Sequence, residues 1–138
     1  MIVVDASVLV SAAWPSDVHH QLSRAWLQAY IRSAETMTAP VLIFSEIGGA
    51  LMRRTQRAGL TVRALQRIRL LPRFMPVPVD SVLGDAATNL AVALQLRGAD
   101  AVYVALAAKL SVPLITWDHE QLLRGGRRVI TSEPTAQP

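Results

Sequence analysis

The amino-acid sequence predicts an α/β domain with a central, mostly parallel sheet of about four to five strands. Three observations lead there. Apolar, β-branched runs such as Ile2-Val3-Val4 and Val112-Pro-Leu-Ile-Thr116 read as buried strands. Helical stripes lie between such runs, so strand and helix alternate along the chain. The chain has 138 residues, 51% of them hydrophobic and only 17% charged, which suits one domain and excludes a disordered chain.

The first strand, Ile2-Val3-Val4, ends at Asp5. Pro15-Ser-Asp17 opens an amphipathic helix with Val18, Leu22, Ala25 or Trp26, and Ala29 on one face. A short strand fits Thr36 to Thr38. Pro40 suits the first position of a helix that runs through Glu46 to about Arg57, with Gly59 as its stop. The Gly48-Gly49 pair inside that helix marks close packing. Thr61 caps a further short helix to Leu71. Met75-Pro-Val-Pro-Val79 reads as the third strand, and its prolines place it at an edge.

Ser81 to Leu96 is helical, with Leu83, Ala87, Leu90, Ala91 and Leu94 as its stripe and Gly98 as its end. Asp100 starts an apolar helix to Leu110. The fourth strand is 112–116, and Asp118-His-Glu-Gln121 after it fits a capping box. Gly125-Gly126 breaks a helical turn, and Arg128-Val-Ile130 is the expected fifth strand. A domain over residues 1–131 and a flexible tail over 132–138 complete the expected layout.

Several classes of function fall away. There is no cysteine, so disulfides, zinc–thiolate sites and cysteine nucleophiles are excluded. The longest apolar run, Ala101 to Ala108, is far short of the roughly 18 residues that suggest a membrane span. No basic region precedes the apolar start of Met1-Ile-Val-Val-Asp5, so no signal peptide is expected there. A cytoplasmic protein without membrane partners is the expectation. Neither the Gly-rich phosphate loop nor the dinucleotide fingerprint occurs.

Charge is unevenly distributed. Lys and Arg total 14 against 10 Asp and Glu, for a net charge of +4. All but Lys109 of the basic residues are arginine, whose guanidinium fork matches phosphate geometry. Between Glu46 and Asp80 there is no acid, yet Arg53, Arg54, Arg57, Arg63, Arg67, Arg69 and Arg73 all fall there. The stretch from Asp80 to Glu120 is acidic.

In parallel sheets, ligands bind beyond the carboxyl ends of the strands. Asp5 and Asp118 follow two apolar strands and emerge at that edge. Asp100 opens a helix, and Glu46 sits among Leu42, Ile43, Phe44 and Ile47. Singly, each has a structural reading as a cap or a solvent-facing acid. Together they point to chemistry. Two like charges 4 Å apart repel by about 4 kcal/mol at an effective dielectric near 20. A divalent cation removes that repulsion, and all-oxygen ligation favours Mg2+ or Mn2+. The natural reaction for such a centre is phosphodiester hydrolysis.

Four motifs carry a family resemblance. They are Ile2-Val-Val-Asp5-Ala-Ser7, Pro40 through Glu46, Gly98-Ala-Asp100-Ala-Val-Tyr-Val-Ala-Leu-Ala107, and Pro113-Leu-Ile-Thr-Trp-Asp118. In order, spacing and length, over about residues 1–131, the chain resembles the PIN-domain family, specifically its VapC-type toxin ribonucleases. The resemblance implies a PIN-like α/β/α domain and an Mg2+- or Mn2+-dependent endoribonuclease, the toxin of a type II toxin–antitoxin pair. It implies metal ligands at Asp5, Asp100 and Asp118, and a catalytic helix acid at Glu46. Ser7 and Thr116 match hydroxyl positions that support the acids. The implied partners are an RNA substrate, a small cognate antitoxin and a second copy in a homodimer. The arginines of 53–73 are the expected grip on RNA. The helix from Val18 to Ala29 and the Arg-rich helices are the expected dimer and antitoxin surfaces.

His19 and His20 read as packing or partner residues, Trp117 as packing, and Tyr103 as a core or dimer contact. Glu120 receives no role. A haloacid-dehalogenase-like phosphatase lacks support, because its Asp-x-Asp pattern would need an acid where Ser7 stands. The alternative from another class is a non-catalytic PIN-type module that binds RNA or protein.

Overall fold

A computed structural model describes residues 1–135. The elements are β1 (Ile2–Val4), α1 (Ala6–Ala13), α2 (His20–Arg32), β2 (Met37–Pro40), α3 (Ile43–Thr55), α4 (Ala58–Arg69), β3 (Phe74–Val77), α5 (Ser81–Leu94), α6 (Gly98–Leu110), β4 (Leu114–Ile115), α7 (His119–Leu123), a 3-10 turn at Gly125–Arg127, and β5 (Thr131–Ser132). Among the described residues the strands form one sheet in the order β3-β2-β1-β4-β5. Every pairing is parallel. This is the predicted α/β architecture, and the proline-bearing β3 lies at an edge.

The central strand, β1, is only three residues long. Val3 pairs with Thr38 on one side and Leu114 on the other, and both Val3 and Val4 are fully buried. The helices cover the sheet with one contiguous core that includes Leu9, Met37, Ile47, Leu51, Leu83 and Leu106. No single helix among the described residues is long and apolar enough to cross a membrane.

Several boundaries depart from expectation. Helix α1 is new: Asp5 both ends β1 and caps α1, accepting from the Ser7 amide at 2.9 Å. The apolar run Ala6–Val10 therefore turns helical at once. The next helix starts at His20 instead of Pro15, because the Asp17 side chain holds the loop by accepting from the His19 amide at 2.8 Å. Its expected stripe is displaced as well. Trp26 is buried as expected, but Val18 and Leu22 are exposed, and Ser23 and Tyr30 are buried in their place. The cause is a polar seam, in which Ser23 meets the Ser11 hydroxyl at 2.6 Å and receives the Trp117 indole N–H at 2.7 Å.

Pro40 ends β2 instead of opening α3. The registered β1 pairs stop at Thr38, so the missing Pro40 N–H breaks no ladder bond on that side. Gly59 lies inside α4, which begins at Ala58 before Thr61. Gly98 opens α6 instead of ending α5, which stops at Leu94 with Gln95 in the left-handed conformation. The last strand is at Thr131–Ser132, not 128–130, because the 3-10 turn uses up Gly125–Arg127 first. Ser132, expected in the tail, pairs with Ile115. The end of that expected tail, 136–138, lies outside the described residues.

Candidate active site

Parallel pairing brings the ends of β1 and β4 to one edge. The Asp5 amide continues the ladder by donating to the Ile115 carbonyl at 2.9 Å. Asp118 leaves the same edge three residues after Ile115 and caps α7. Asp100 lies in the first turn of α6, and Glu46 in the first turn of α3. All four acids line one cleft of about 610 Å3, together with Arg53, Arg54 and Arg97. Asp5 and Asp100 are buried, at 6% and 8% exposure.

The hydroxyls stand beside the acids. Ser7 donates its amide to Asp5, and its Oγ accepts the Trp117 amide at 3.1 Å. Thr116 Oγ1 accepts the Asp118 amide at 2.9 Å and lies 3.5 Å from Ser7 Oγ. These bonds join the turn after β1 to the turn after β4.

Two further residues thread between the carboxylates. Arg97 donates from Nε to Asp100 and from an Nη to Asp118, each at 2.9 Å. Gln121 is fully buried and donates its side-chain amide to Asp5 at 3.1 Å and to Asp100 at 3.2 Å. Its own backbone amide donates to Asp118 at 2.9 Å. Only half of the expected capping box forms. The Gln121 side chain does not return to the Asp118 amide, which Thr116 already satisfies.

Electrostatics follow from burial and crowding. Burial pushes the Glu46 carboxyl above its ordinary range, and the charges of Asp5 and Asp100 push the same way. Tyr103, which donates its hydroxyl to Glu46, pulls in the opposite direction. Asp100 is also raised, by burial first, with the Arg97 hydrogen bond opposing. The Tyr103 hydroxyl is pushed far up, by burial and then by the charges of Asp5 and Glu46. It remains a proton donor across the physiological range. The bond to Asp100 holds Arg97 more firmly protonated.

The four acids converge, yet no group of three His, Cys, Asp or Glu side chains among the described residues is arranged to hold one ion as they stand. The donor set nevertheless fits a hard cation. It is all oxygen, and a guanidinium already sits between Asp100 and Asp118. Asp5, Asp100 and Asp118 are the residues that would hold such an ion.

The arginines divide. Arg53 and Arg54 line the acid cleft, and Arg54 also pairs with Asp17 at 3.3 Å. Arg69 lies 3.7 Å over the Phe44 ring. Arg73 is spent on the carbonyls of Ile31, Ser33 and Glu35. The basic stretch is therefore not one continuous grip. His19 stacks on Trp117 at 3.9 Å and lines the cleft, while His20 bonds the Ser11 carbonyl at 2.9 Å.

The family profile of the PIN domain matches residues 2–126. The chain belongs to the PIN domain family. This PIN domain is 26% identical over 121 residues to ribonuclease VapC39 of Mycobacterium tuberculosis, covering 83% of this chain and 86% of that one. Its fold is similar to the crystal structure of Mycobacterium tuberculosis VapC20, a sarcin–ricin loop cleaving toxin. The TM-score is 0.78 at 18% identity, covering 97% of this chain and 100% of that one. It is also similar to a chain of a toxin–antitoxin complex from Klebsiella pneumoniae, with a TM-score of 0.67 at 15% identity and coverage of 97% and 98%.

Sequence reasoning missed Arg97, Gln121 and the role of Tyr103. Arg97 had a local signal, since it stands three residues before Asp100. Tyr103 had none, and Gln121 showed only as part of a capping box, because their side-chain partners are far away in sequence.

Proposed function

We propose that this PIN domain is a divalent-metal-dependent endoribonuclease, the toxin of a type II toxin–antitoxin pair, acting in the cytoplasm. The observation that carries the reading is the meeting of Asp5, Glu46, Asp100 and Asp118 in one cleft with basic walls. The names of its relatives support it: one is a ribonuclease, one cleaves the sarcin–ricin loop, and one comes from a toxin–antitoxin complex.

In this reading Asp5, Asp100 and Asp118 hold Mg2+ or Mn2+. The ion supplies Lewis-acid polarisation of a phosphoryl oxygen and a bound water of lowered pKa. Arg53 and Arg54 hold flanking phosphates by charge-assisted hydrogen bonds. Glu46, with its raised affinity for a proton and its Tyr103 anchor, accepts or returns a proton at the cleft wall. Ser7 and Thr116 keep the two acid-bearing turns together. Arg97, whose exposed guanidinium bonds Asp100 and Asp118, is the side chain that a cation held there would displace. The nuclease domain runs through β5 at Thr131–Ser132, and the chain works as a homodimer. We place the antitoxin on α2 and α4, where Arg24, Arg63 and Arg67 rim an apolar groove.

The test is cleavage of a structured RNA by purified protein freed of antitoxin, with Mg2+, with Mn2+ and with a chelator. Cleavage that needs the cation, and that is lost in Asp100→Asn, is the expected result. A second reading rests on Arg97. Its fork across Asp100 and Asp118 already satisfies them, as a non-catalytic RNA- or protein-binding module would require. Absence of both divalent-ion binding and RNA cleavage would favour that module.

A further inference from the structure

Gln121 is a costly residue for its place. It is fully buried, and its Oε1 is the one buried side-chain polar atom without a partner among the described residues. An unpaired buried carbonyl keeps its desolvation cost without a compensating hydrogen bond, so a leucine would fill this helix position with less penalty. The cost has a geometric origin. A side-chain amide has two donor hydrogens on one nitrogen, and here that nitrogen faces two carboxylates. Asp5 Oδ1 lies 3.1 Å away and Asp100 Oδ1 3.2 Å away. Satisfying both leaves the amide oxygen pointing elsewhere.

The three acids come from three separate elements. Asp5 follows β1, Asp100 sits in α6, and Asp118 caps α7. Gln121 touches all three, through its side chain to Asp5 and Asp100 and through its backbone amide to Asp118. Arg97 also bridges two of them, but its side chain is 74% exposed and free to leave. Gln121 is fully buried. A neutral donor also suits the task. It offsets part of the repulsion between Asp5 and Asp100 without cancelling the charge that attracts a cation.

We propose that Gln121 is the positioning residue of the acid cluster. It fixes the spacing of Asp5 and Asp100, and so sets how tightly the cluster takes a divalent cation. This rests on the metal-dependent reading above. Hydrogen-bond partners of metal-holding side chains typically change affinity by about 10–100-fold.

The test uses the full chain, with manganese as the probe, read by titration calorimetry and by melting temperature with and without the ion. Gln121→Met keeps the volume and removes the donors. It is expected to bind manganese at least about tenfold more weakly, with an unchanged circular dichroism spectrum. Gln121→Glu keeps the shape and adds a carboxylate. Its metal-free form is expected to melt below the parent protein, while manganese raises its melting temperature by more than it raises the parent's. Gln121→Glu is a readout independent of whether Gln121→Met folds, and a purely structural glutamine would not give this opposite pair of shifts. Parent-like manganese affinity and melting shift in whichever variants fold would overturn the positioning role and leave the nuclease reading standing. Absence of manganese binding in the parent protein would overturn both, and so separates the two failures.

Discussion

The acid cleft and the groove between α2 and α4 enclose the same volume, about 610 Å3 each. They differ in how charge is arranged. The cleft is lined by five acids, Asp5, Asp17, Glu46, Asp100 and Asp118, together with Arg53, Arg54 and Arg97. The groove has apolar walls, including Leu9, Leu27, Ile31 and Ile68, a rim of Arg24, Arg63 and Arg67, and no acid. One acid-free stretch of sequence supplies arginines to both. The net charge of +4 therefore averages two sites with different tasks. One gathers carboxylates whose charge repels an anion. The other is basic without compensation.

The sharpest way to break this comparison is to remove acids on one side and arginines on the other. Asp5→Asn and Asp100→Asn are expected to lower RNA cleavage by more than about 100-fold. Arg63→Ala and Arg67→Ala are expected to leave it unchanged, measured on the same RNA with the same Mg2+. Loss of cleavage in the groove variants would erase the distinction.

Binding gives a smaller effect. Each phosphate contact contributes about 0.7 to the slope of log affinity against log salt for single-stranded RNA. Arg53→Ala is expected to reduce the slope by about that amount, as read by fluorescence anisotropy at several salt concentrations. Arg54→Ala is expected to do the same while also freeing Asp17. Arg63→Ala should leave the slope in place.

Proton affinity sharpens the contrast within the cleft. The Tyr103 hydrogen bond favours the charged form of Glu46. Tyr103→Phe therefore raises the Glu46 pKa further, and the acid limb of the pH–rate profile moves to higher pH. The lost hydrogen bond itself costs about 1 kcal/mol of stability.

The smallest effect concerns stability alone. Glu46 binds a proton more readily when folded than its ordinary value predicts. The folded state thus carries more protons than the unfolded one between the ordinary carboxylate pKa, about 4, and the raised value. Metal-free protein loses stability as pH rises through that window. Glu46→Gln removes this contribution, so it should raise the neutral-pH melting temperature by about 2–4 °C in differential scanning calorimetry. A lower melting temperature would mean that the Tyr103 bond outweighs the repulsion from Asp5 and Asp100.

What could be read from sequence follows from range. Asp5 and Asp118 were legible because each acid directly follows an apolar run, and a parallel sheet sends such positions to one edge. Helix α1 was not legible, because Asp5 ends one element and caps the next with no turn residue between them. The stripe of α2 was misread because its buried face is built on Ser23, whose partners Ser11 and Trp117 lie in other elements. Gln121 was legible only as a helix cap. Its side-chain partners are 116 and 21 residues away, beyond any local pattern.

The placement of β1 has a consequence for the order of assembly. The central strand is flanked by β2 and β4, and Val4 pairs with Ile115. A ribosome adding roughly 5–20 residues per second needs about 5–20 s to pass from one to the other. Throughout that interval Asp5 exists without Asp118, and α7 has not been made. The growing chain cannot close the acid cleft until the strand that leads to Asp118 has emerged.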